Sequence, residues 1–159
     1  MEDSCINYPV VQAKNNDYYL YRLTNGEYNT CGSIFMDFRN DYNLTDKNTI
    51  IYGHSMKNGT MFAPLLNYRK HDFYDNHRII YYCTKEKMYR VELFAGLTVD
   101  DDSEIYNLVN LDENKISNLK NKSDFKSNVI VSNEDKIITL STCAYEYQNA
   151  RYVVMGILK

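Results

Sequence analysis

The 159-residue sequence lacks any apolar run that approaches the ~18 residues needed to cross a membrane. It also lacks the apolar segment of a signal peptide near its start. Its net charge is -3 and its pI is near 5.6, so it offers no general basic surface for a nucleic acid. We therefore expect no membrane-spanning segment within these residues and no nucleic-acid partner.

Metal-binding cysteine patterns are absent as well. The four cysteines (Cys5, Cys31, Cys83 and Cys143) are widely spaced, with no CxxC and no Cys/His pairing at zinc spacing. A disulfide framework is improbable in a chain that is 44% hydrophobic, so we expect Cys5, Cys31 and Cys83 to behave as small apolar residues. Whether one pair is oxidised stays open, and we expect no structural metal site.

Internal repeats, low-complexity tracts and linkers are also missing, and the sequence contains only two prolines. A chain of this length can bury roughly 68–70% of the surface that its unfolded state exposes. We therefore predict one domain over residues 1–159.

The periodicity of the apolar residues predicts a mainly β fold. Seven segments are typical of strands: "INYPVVQ", "GSIFMDF", "NTIIYGH", "RIIYYCT", "KMYRVELFAGLTV", "KIITLSTC" and "RYVVMGIL". Several of them are apolar on both faces, which indicates a closed barrel or a covered sheet rather than an open one.

Two helices interrupt the strand pattern. The first is predicted over "TMFAPLLNYRK", with Thr60 or Asn58 as its N-cap. The second lies in the long connection between the fifth and sixth strand candidates, where Asn110 and Glu113 form a possible capping box. Connections of that length are often functional.

A candidate nucleophile lies at the end of the sixth strand candidate. Cys143 follows Ser141 and Thr142, whose hydroxyls are polar for a core position and favour a cleft at the strand end. A free thiol with a pKa near 8.5 is mostly protonated at neutral pH, so a catalytic cysteine needs a partner. The alternative, a small buried cysteine at a strand end, stays open.

His54 is the preferred partner among the three histidines. It ends "NTIIYGH", so the sheet would hold its backbone while the side chain stays open to solvent, as a catalytic base requires. The alternative is a turn histidine bonded to the backbone. His71 and His77 lie in the polar stretch "YRKHDFYDNHR", which indicates a solvated helix end and loop.

Arg151 opens the last strand candidate after the seven-residue turn "AYEYQNA". Such a turn can return the chain beside its predecessor, which would bring Arg151 near Cys143. A guanidinium there favours the thiolate and donates to a carbonyl oxygen that gains charge. The alternative is a surface arginine paired with Glu146.

Taken in order, these segments resemble the sortases, the cysteine transpeptidases of Gram-positive surfaces, and most closely their class B branch. The resemblance rests on "TLSTC", the seven residues before Arg151, and the upstream "YGH", and it runs from about Ile6 to Leu158. It implies an eight-stranded β-barrel with a helix in the long connection before the penultimate strand.

The resemblance also implies the roles of the site residues. Cys143 would be the nucleophile, His54 the general acid/base, and Arg151 the group that holds the substrate carbonyl or its oxyanion. Five further residues would line the substrate groove: Asn7, Val11, Tyr52, Ser141 and Thr142. Tyr52 and Val11 also fit as ordinary core residues, and no cofactor is needed.

The implied reaction is cleavage of a sorting motif of the [NS]-P-x-T-[GN] type after its threonine. The thioacyl-enzyme would then pass the surface protein to an amine of the peptidoglycan stem or cross-bridge. The implied location is the outer face of a Gram-positive cell membrane. Alternatives within enzymes are a hydrolysing cysteine peptidase and a pilin-polymerising sortase; another class is an inactive β-barrel that binds wall peptides.

Three departures from the class B pattern carry expectations of their own. Members usually begin with a membrane anchor, helices and a first strand, whereas this sequence opens almost at "INYPVVQ". We expect either that those parts have been removed or that the barrel lacks a strand and its edge is covered otherwise. Cys5 is a candidate for an intermolecular disulfide. The acidic "DDDSE", Asp100 to Glu104, resembles the calcium clusters of other sortases but is predicted to be a solvated loop.

Overall fold

The computed structural model describes residues 6–107 and 112–159. Each of the seven predicted segments contributes one strand, which confirms the mainly β fold. The strands are β1 (Val10–Val11), β2 (Ile34–Met36), β3 (Asn48–Tyr52), β4 (Ile79–Cys83), β5 (Met88–Asp100), β6 (Ile137–Cys143) and β7 (Ala150–Leu158).

The strands form one curled sheet in the order β1-β2-β3-β6-β7-β5-β4. Within the described ranges there are seven strands rather than the eight implied by the resemblance, and the hydrogen-bonded ladder runs from β1 to β4 without closing. The β1 edge is only two residues long because Pro9, which has no backbone N–H, immediately precedes it.

The first predicted helix differs in type and in its cap. It is a 3₁₀ helix over Ala63–Arg69, its N-cap residue is Phe62, and no side chain caps it. The predicted caps bond each other instead, since the backbone N–H and hydroxyl of Thr60 both donate to Asn58 Oδ1. Those donors close the preceding turn, so neither side chain is left for the helix. Helix α1 (His71–Asn76) follows.

The second predicted helix lies in the connection before β6, as the resemblance implies. Helix α2 spans Glu113–Lys122, and its N-cap is Asp112, whose Oδ1 accepts from the backbone N–H of Lys115 at 2.8 Å. Asn110, the predicted capping residue, lies outside the described residues. Ile116 on α2 is buried against the sheet.

The sheet is covered on both faces, which explains the continuous apolar strands. Alternate residues of β6 and β7 enter different clusters: Ile138 and Val154 join one core, whereas Ile137 and Val153 join the other. The 3₁₀ helix over Ala63–Arg69 and α1 cover the first face, and α2 with a 3₁₀ turn over Glu104–Tyr106 covers the second.

The sheet topology brings the predicted site residues to one end. β3 runs parallel to β6, with Tyr52 opposite Ser141, so the carboxyl ends of both strands lie together. β7 runs antiparallel to β6, and its first residues therefore meet the end of β6. Consequently the segments that carry His54, Cys143 and Arg151 emerge at the same edge.

Candidate active site

A cavity of about 260 Å³ lies at this edge of the sheet. Six of the eight predicted site residues line it: Tyr52, His54, Ser141, Thr142, Cys143 and Arg151. Residues from sequence positions far apart thus share one concave site, which is the arrangement expected of a binding or catalytic pocket.

Cys143 and Arg151 lie directly opposite each other in the register of β6 and β7. Cys143 is a partly buried free thiol, so it is not the fully buried strand-end cysteine of the alternative interpretation. Two residues directly opposite on antiparallel strands place their side chains on the same face, ≈ 4.5–5.5 Å apart at Cβ. The pairing of β6 with β7 therefore places Arg151 beside Cys143, as predicted.

The alternative pairing of Arg151 with Glu146 is wrong. Glu146 forms an ion pair with Arg69 instead. The Arg151 guanidinium lies 3.6 Å from Asp101 Oδ2, and its Nη1 donates to the carbonyl of Ala150 at 3.1 Å. Asp101 belongs to "DDDSE", whose acidic side chains are exposed as predicted, and Asp101 itself also lines the cavity.

His54 lies two residues beyond the end of β3 and is held by the backbone of another segment. Its Nε2 is 2.7 Å from the carbonyl oxygen of Leu20, which lies in a 3₁₀ helix over Tyr18–Tyr21. A carbonyl oxygen only accepts, so Nε2 carries a proton and the neutral ring keeps its lone pair on Nδ1. The alternative interpretation, a histidine bonded to the backbone, therefore holds for Nε2. Nδ1 remains available to act as a base.

Hydrogen bonds tie the end of β6 to the residue before His54. The hydroxyl of Thr142 donates to the carbonyl of Gly53 at 2.7 Å, and the Gly53 N–H donates to the carbonyl of Ser141 at 3.1 Å. The Thr142 proton is committed to this bond, so only its lone pairs remain for a bound peptide. These contacts fix the backbone at Cys143 relative to that at His54.

Gly53 has no room for a side chain. A Cβ there would lie 2.4 Å from Ile34 Cδ1 and 2.7 Å from ring carbons of Phe62. We expect Gly53→Ala to lower the free energy of unfolding by about 1–3 kcal/mol, because a tight core must shift. Urea unfolding would measure this, with Lys57→Ala on the neighbouring exposed loop expected to change it by no more than about 0.5 kcal/mol. If the urea midpoint of Gly53→Ala equalled that of the wild type, the core around Gly53 would have room for a side chain, and the prediction would be wrong.

Two tyrosines line the cavity, of which Tyr106 is buried and Tyr52 is half-buried. The Tyr52 hydroxyl donates to Asp37 Oδ2 at 3.0 Å, and the Tyr106 hydroxyl lies 2.9 Å from Ser141 Oγ. Burial, with the nearby Asp37 charge, holds the pKa of Tyr52 well above its usual value, and burial raises the pKa of Tyr106 to about 12. Both phenols therefore stay neutral at physiological pH and act as hydrogen-bonding groups rather than bases.

Asn7 and Val11 do not line the cavity with Cys143. Asn7 lines one cavity between the β1 edge and β4, and Val11 lines another beside it. Val11 pairs with Phe35, whose ring does line the cavity, so the two regions are adjacent. The assignment of Asn7 and Val11 to a substrate groove stays a prediction.

Seven residues that line the cavity were not among the predicted site residues: Asn16, Asp17, Leu20, Phe35, Gly53, Asp101 and Tyr106. Asp101 had a local signal, because it belongs to the acidic stretch "DDDSE". It reaches the cavity because it follows the end of β5, where Val99 lies opposite Arg151 on β7. Leu20 acts through its carbonyl oxygen, which no side-chain pattern can reveal.

The other cysteines and histidines lie elsewhere. Cys83 is exposed, which differs from the prediction that it behaves as a small apolar residue, and Cys31 is partly buried; both are free thiols. Cys5 lies outside the described residues. His71 pairs with Asp75 at 3.4 Å, and His77 Nδ1 bonds the carbonyl of Phe73 at 2.8 Å.

Neither a metal cluster nor a membrane-crossing helix is found in the part of the chain that the structure describes. No three His, Cys, Asp or Glu side chains there are arranged to hold a metal ion. None of the helices formed by these same residues is long and apolar enough to cross a bilayer.

Comparison with known proteins agrees with this geometry. A family model described as a sortase domain matches residues 2–159. The chain belongs to the sortase family. It is also similar to sortase B of Listeria monocytogenes, with 42% identity over 161 residues that cover 97% of this chain. This sortase domain spans 65% of that relative's length, which is under two thirds.

Solved sortase structures share the fold. A crystal structure of sortase B complexed with triglycine superposes with a TM-score of 0.92 at 34% identity, covering 100% of this chain and 77% of that one. A Staphylococcus aureus sortase B–substrate complex gives 0.91 at 34% identity, covering 100% and 76%. The resemblance to the class B sortases is thereby confirmed.

Proposed function

We propose that this chain is a cysteine transpeptidase in which Cys143, His54 and Arg151 act together. The observation that carries the proposal is the register of β6 and β7, which sets Cys143 directly opposite Arg151. His54 lines the same cavity with its Nε2 bonded to Leu20, so Nδ1 is the nitrogen left for proton transfer.

In the first half-reaction, His54 Nδ1 takes the thiol proton and the Cys143 sulfur attacks the carbonyl carbon of the substrate threonine. The carbonyl oxygen gains charge and accepts hydrogen bonds from the Arg151 guanidinium. When the intermediate collapses, the C–N bond breaks and the leaving amine takes the proton from Nδ1. A thioacyl-enzyme remains.

In the second half-reaction, an acceptor amine attacks the thioester carbon. The amine loses a proton to His54 Nδ1, the C–S bond breaks, and the sulfur leaves as a thiolate that regains the proton. Both steps exchange one acyl bond for another without a change of oxidation state, so the reaction needs no oxidant or reductant.

The proposed substrate is a sorting motif of the [NS]-P-x-T-[GN] type in a surface protein, and the proposed acceptor is a peptidoglycan amine. The sortase B structures solved with a substrate and with triglycine support a peptide ligand for this site, and the motif and the acceptor belong to the proposal. The proposed location is the Gram-positive cell surface, on the outer face of the membrane, with any membrane contact made through an N-terminal anchor.

The test is cleavage of quenched fluorescent peptides that carry Ser-Pro-x-Thr-Gly or Asn-Pro-x-Thr-Asn. Each peptide is incubated alone, with triglycine, or with diaminopimelate, and the products are identified by mass. Cleavage after threonine with an amine-linked product is the expected result. Cleavage that yields only the acid would indicate a hydrolase, and binding without cleavage would indicate a wall-peptide binding module.

Arg151 offers a specific test of oxyanion binding. Arg151→Lys keeps the positive charge but loses the planar fork of donors, so kcat/KM for peptide cleavage is expected to fall about 10²–10³-fold. Arg90→Lys is the matched control, because Arg90 pairs with Glu92 outside the cavity and its replacement should leave the rate within about twofold. A fully active Arg151→Lys variant would show that charge alone is sufficient.

A further inference from the structure

Asp37, the first residue after β2, carries a fully buried carboxylate that the proposed chemistry does not use. Arg39 holds it with two charge-assisted hydrogen bonds, from Nε to Oδ1 and from Nη2 to Oδ2, both at 2.8 Å. Tyr52 and Asn16 also donate to Oδ2, at 3.0 Å and 3.1 Å. A carboxylate with this many donors in the interior is a strong and geometrically specific anchor.

Burial by itself would raise the pKa of Asp37, but the bonds from Arg39, Asn16 and Tyr52 together hold that pKa below its usual value. The group is therefore a carboxylate at neutral pH. The carboxylate oxygens only accept hydrogen bonds, and each of the three side-chain partners offers a donor. Every hydrogen bond to the carboxylate therefore pairs a donor with an acceptor.

Each partner of Asp37 leads to a different wall of the cavity. Asn16 lies on the cavity wall, two residues before the 3₁₀ helix over Tyr18–Tyr21 that contains Leu20, whose carbonyl holds His54 Nε2. Asn16 is fixed a second time, since its Oδ1 accepts from the backbone N–H of Phe38 at 2.9 Å. Displacement of Asn16 would therefore move the segment that sets the His54 ring.

The other two partners reach further residues that line the cavity. Tyr52 ends β3 and lies two residues before His54, so its ring orientation constrains the strand end. Arg39 Nη2 also donates to the backbone carbonyl of Tyr106 at 3.1 Å, and the Tyr106 hydroxyl lies 2.9 Å from Ser141 Oγ. Asp37 thus joins three segments of the chain that contribute residues to the cavity lining.

We propose that Asp37 is a positioning residue: its buried carboxylate holds the segment from Asn16 to Leu20, the end of β3 and the segment at Tyr106, and so fixes the His54 ring with its proton on Nε2. The inference rests on the proposed function for its catalytic meaning, but the position of the ring is a property of the folded chain that can be measured without turnover.

The direct test is ¹⁵N NMR of the histidine rings in the wild-type chain and in Asp37→Asn. The substitution keeps the shape but places an amide N–H₂ against donors, which breaks the match. We expect the wild type to show the Nε2–H tautomer at His54, and Asp37→Asn to show tautomers averaged between both nitrogens. The expected loss in kcat/KM is about 10–100-fold per reactive thiol, as for a catalytic group displaced by ~1 Å.

Two further variants keep the test decisive if Asp37→Asn folds poorly. Tyr52→Phe removes a single hydroxyl from the cluster and leaves the pair with Arg39 intact, so it should fold and still lower kcat severalfold with KM unchanged. Asp135→Asn is the matched control. Asp135 is also a carboxylate with a lowered pKa, bonded by Ser132 and Lys159, and it lies outside the cavity.

The outcomes separate this inference from the proposed function. If the His54 tautomer changes in Asp37→Asn and Tyr52→Phe while the wild type cleaves no peptide, the positioning role stands and the proposed substrate is wrong. If the wild type cleaves peptides but the tautomer and the rate per thiol in both variants match Asp135→Asn, Asp37 is only structural and the inference is overturned.

Discussion

Replacing Cys143 with alanine is expected to lower kcat/KM for peptide cleavage by about 10⁴-fold or more, to the level of the uncatalysed background. The two hydroxyls that precede Cys143 on β6 are already hydrogen-bonded, so we expect neither to replace the thiol. The hydroxyl of Ser141 is bonded to Tyr106, and that of Thr142 donates its proton to the carbonyl of Gly53. Steady-state assays with a quenched fluorescent peptide, read together with product masses, would measure the loss.

The other described cysteines provide matched controls for this experiment. Cys31 and Cys83 are free thiols that do not line the cavity, so Cys31→Ala and Cys83→Ala should each keep activity within about twofold of the wild type. Loss of activity in Cys83→Ala, or more than a few per cent of activity in Cys143→Ala, would place the nucleophile elsewhere.

Replacing His54 with alanine is expected to lower kcat by about 10²–10⁴-fold, because both half-reactions need one group to take and return a proton. The pH profile adds a second readout. With a thiol and an imidazole acting together, the wild-type kcat/KM should be bell-shaped between about pH 5 and 10, and His54→Ala should lose the limb that reports the imidazole.

His71 is the control for this substitution. It is an exposed histidine paired with Asp75 on α1, away from the cavity, so His71→Ala should keep both the rate and the shape of the profile. A flat wild-type profile would count against a Cys143–His54 pair, and an unchanged bell in His54→Ala would assign the second titration to another group.

Local sequence was sufficient to predict the strands. Each of the seven apolar segments forms a strand. Alternating apolar and polar residues indicate a strand with one buried face, and apolar residues on both faces indicate a strand that is covered on both sides. The facing of Cys143 and Arg151 was also predictable, because a short turn joins their strands and sets them side by side. The first helix was less predictable: whether Asn58 and Thr60 cap a helix or close a turn depends on competing local hydrogen bonds of similar energy.

The remaining parts of the site depend on contacts between distant segments. The sequence by itself determined which residues have the right chemistry: a cysteine beside hydroxyls, a histidine after a strand and an arginine that opens the next one. The resemblance to sortases connected them. Only the tertiary structure decided how they are held, by parallel pairing of β3 with β6, by the Leu20 carbonyl on His54, and by Asp37 beneath the cavity. Backbone carbonyls and buried charge clusters act across many residues of chain, and their partners have no signature within any one segment.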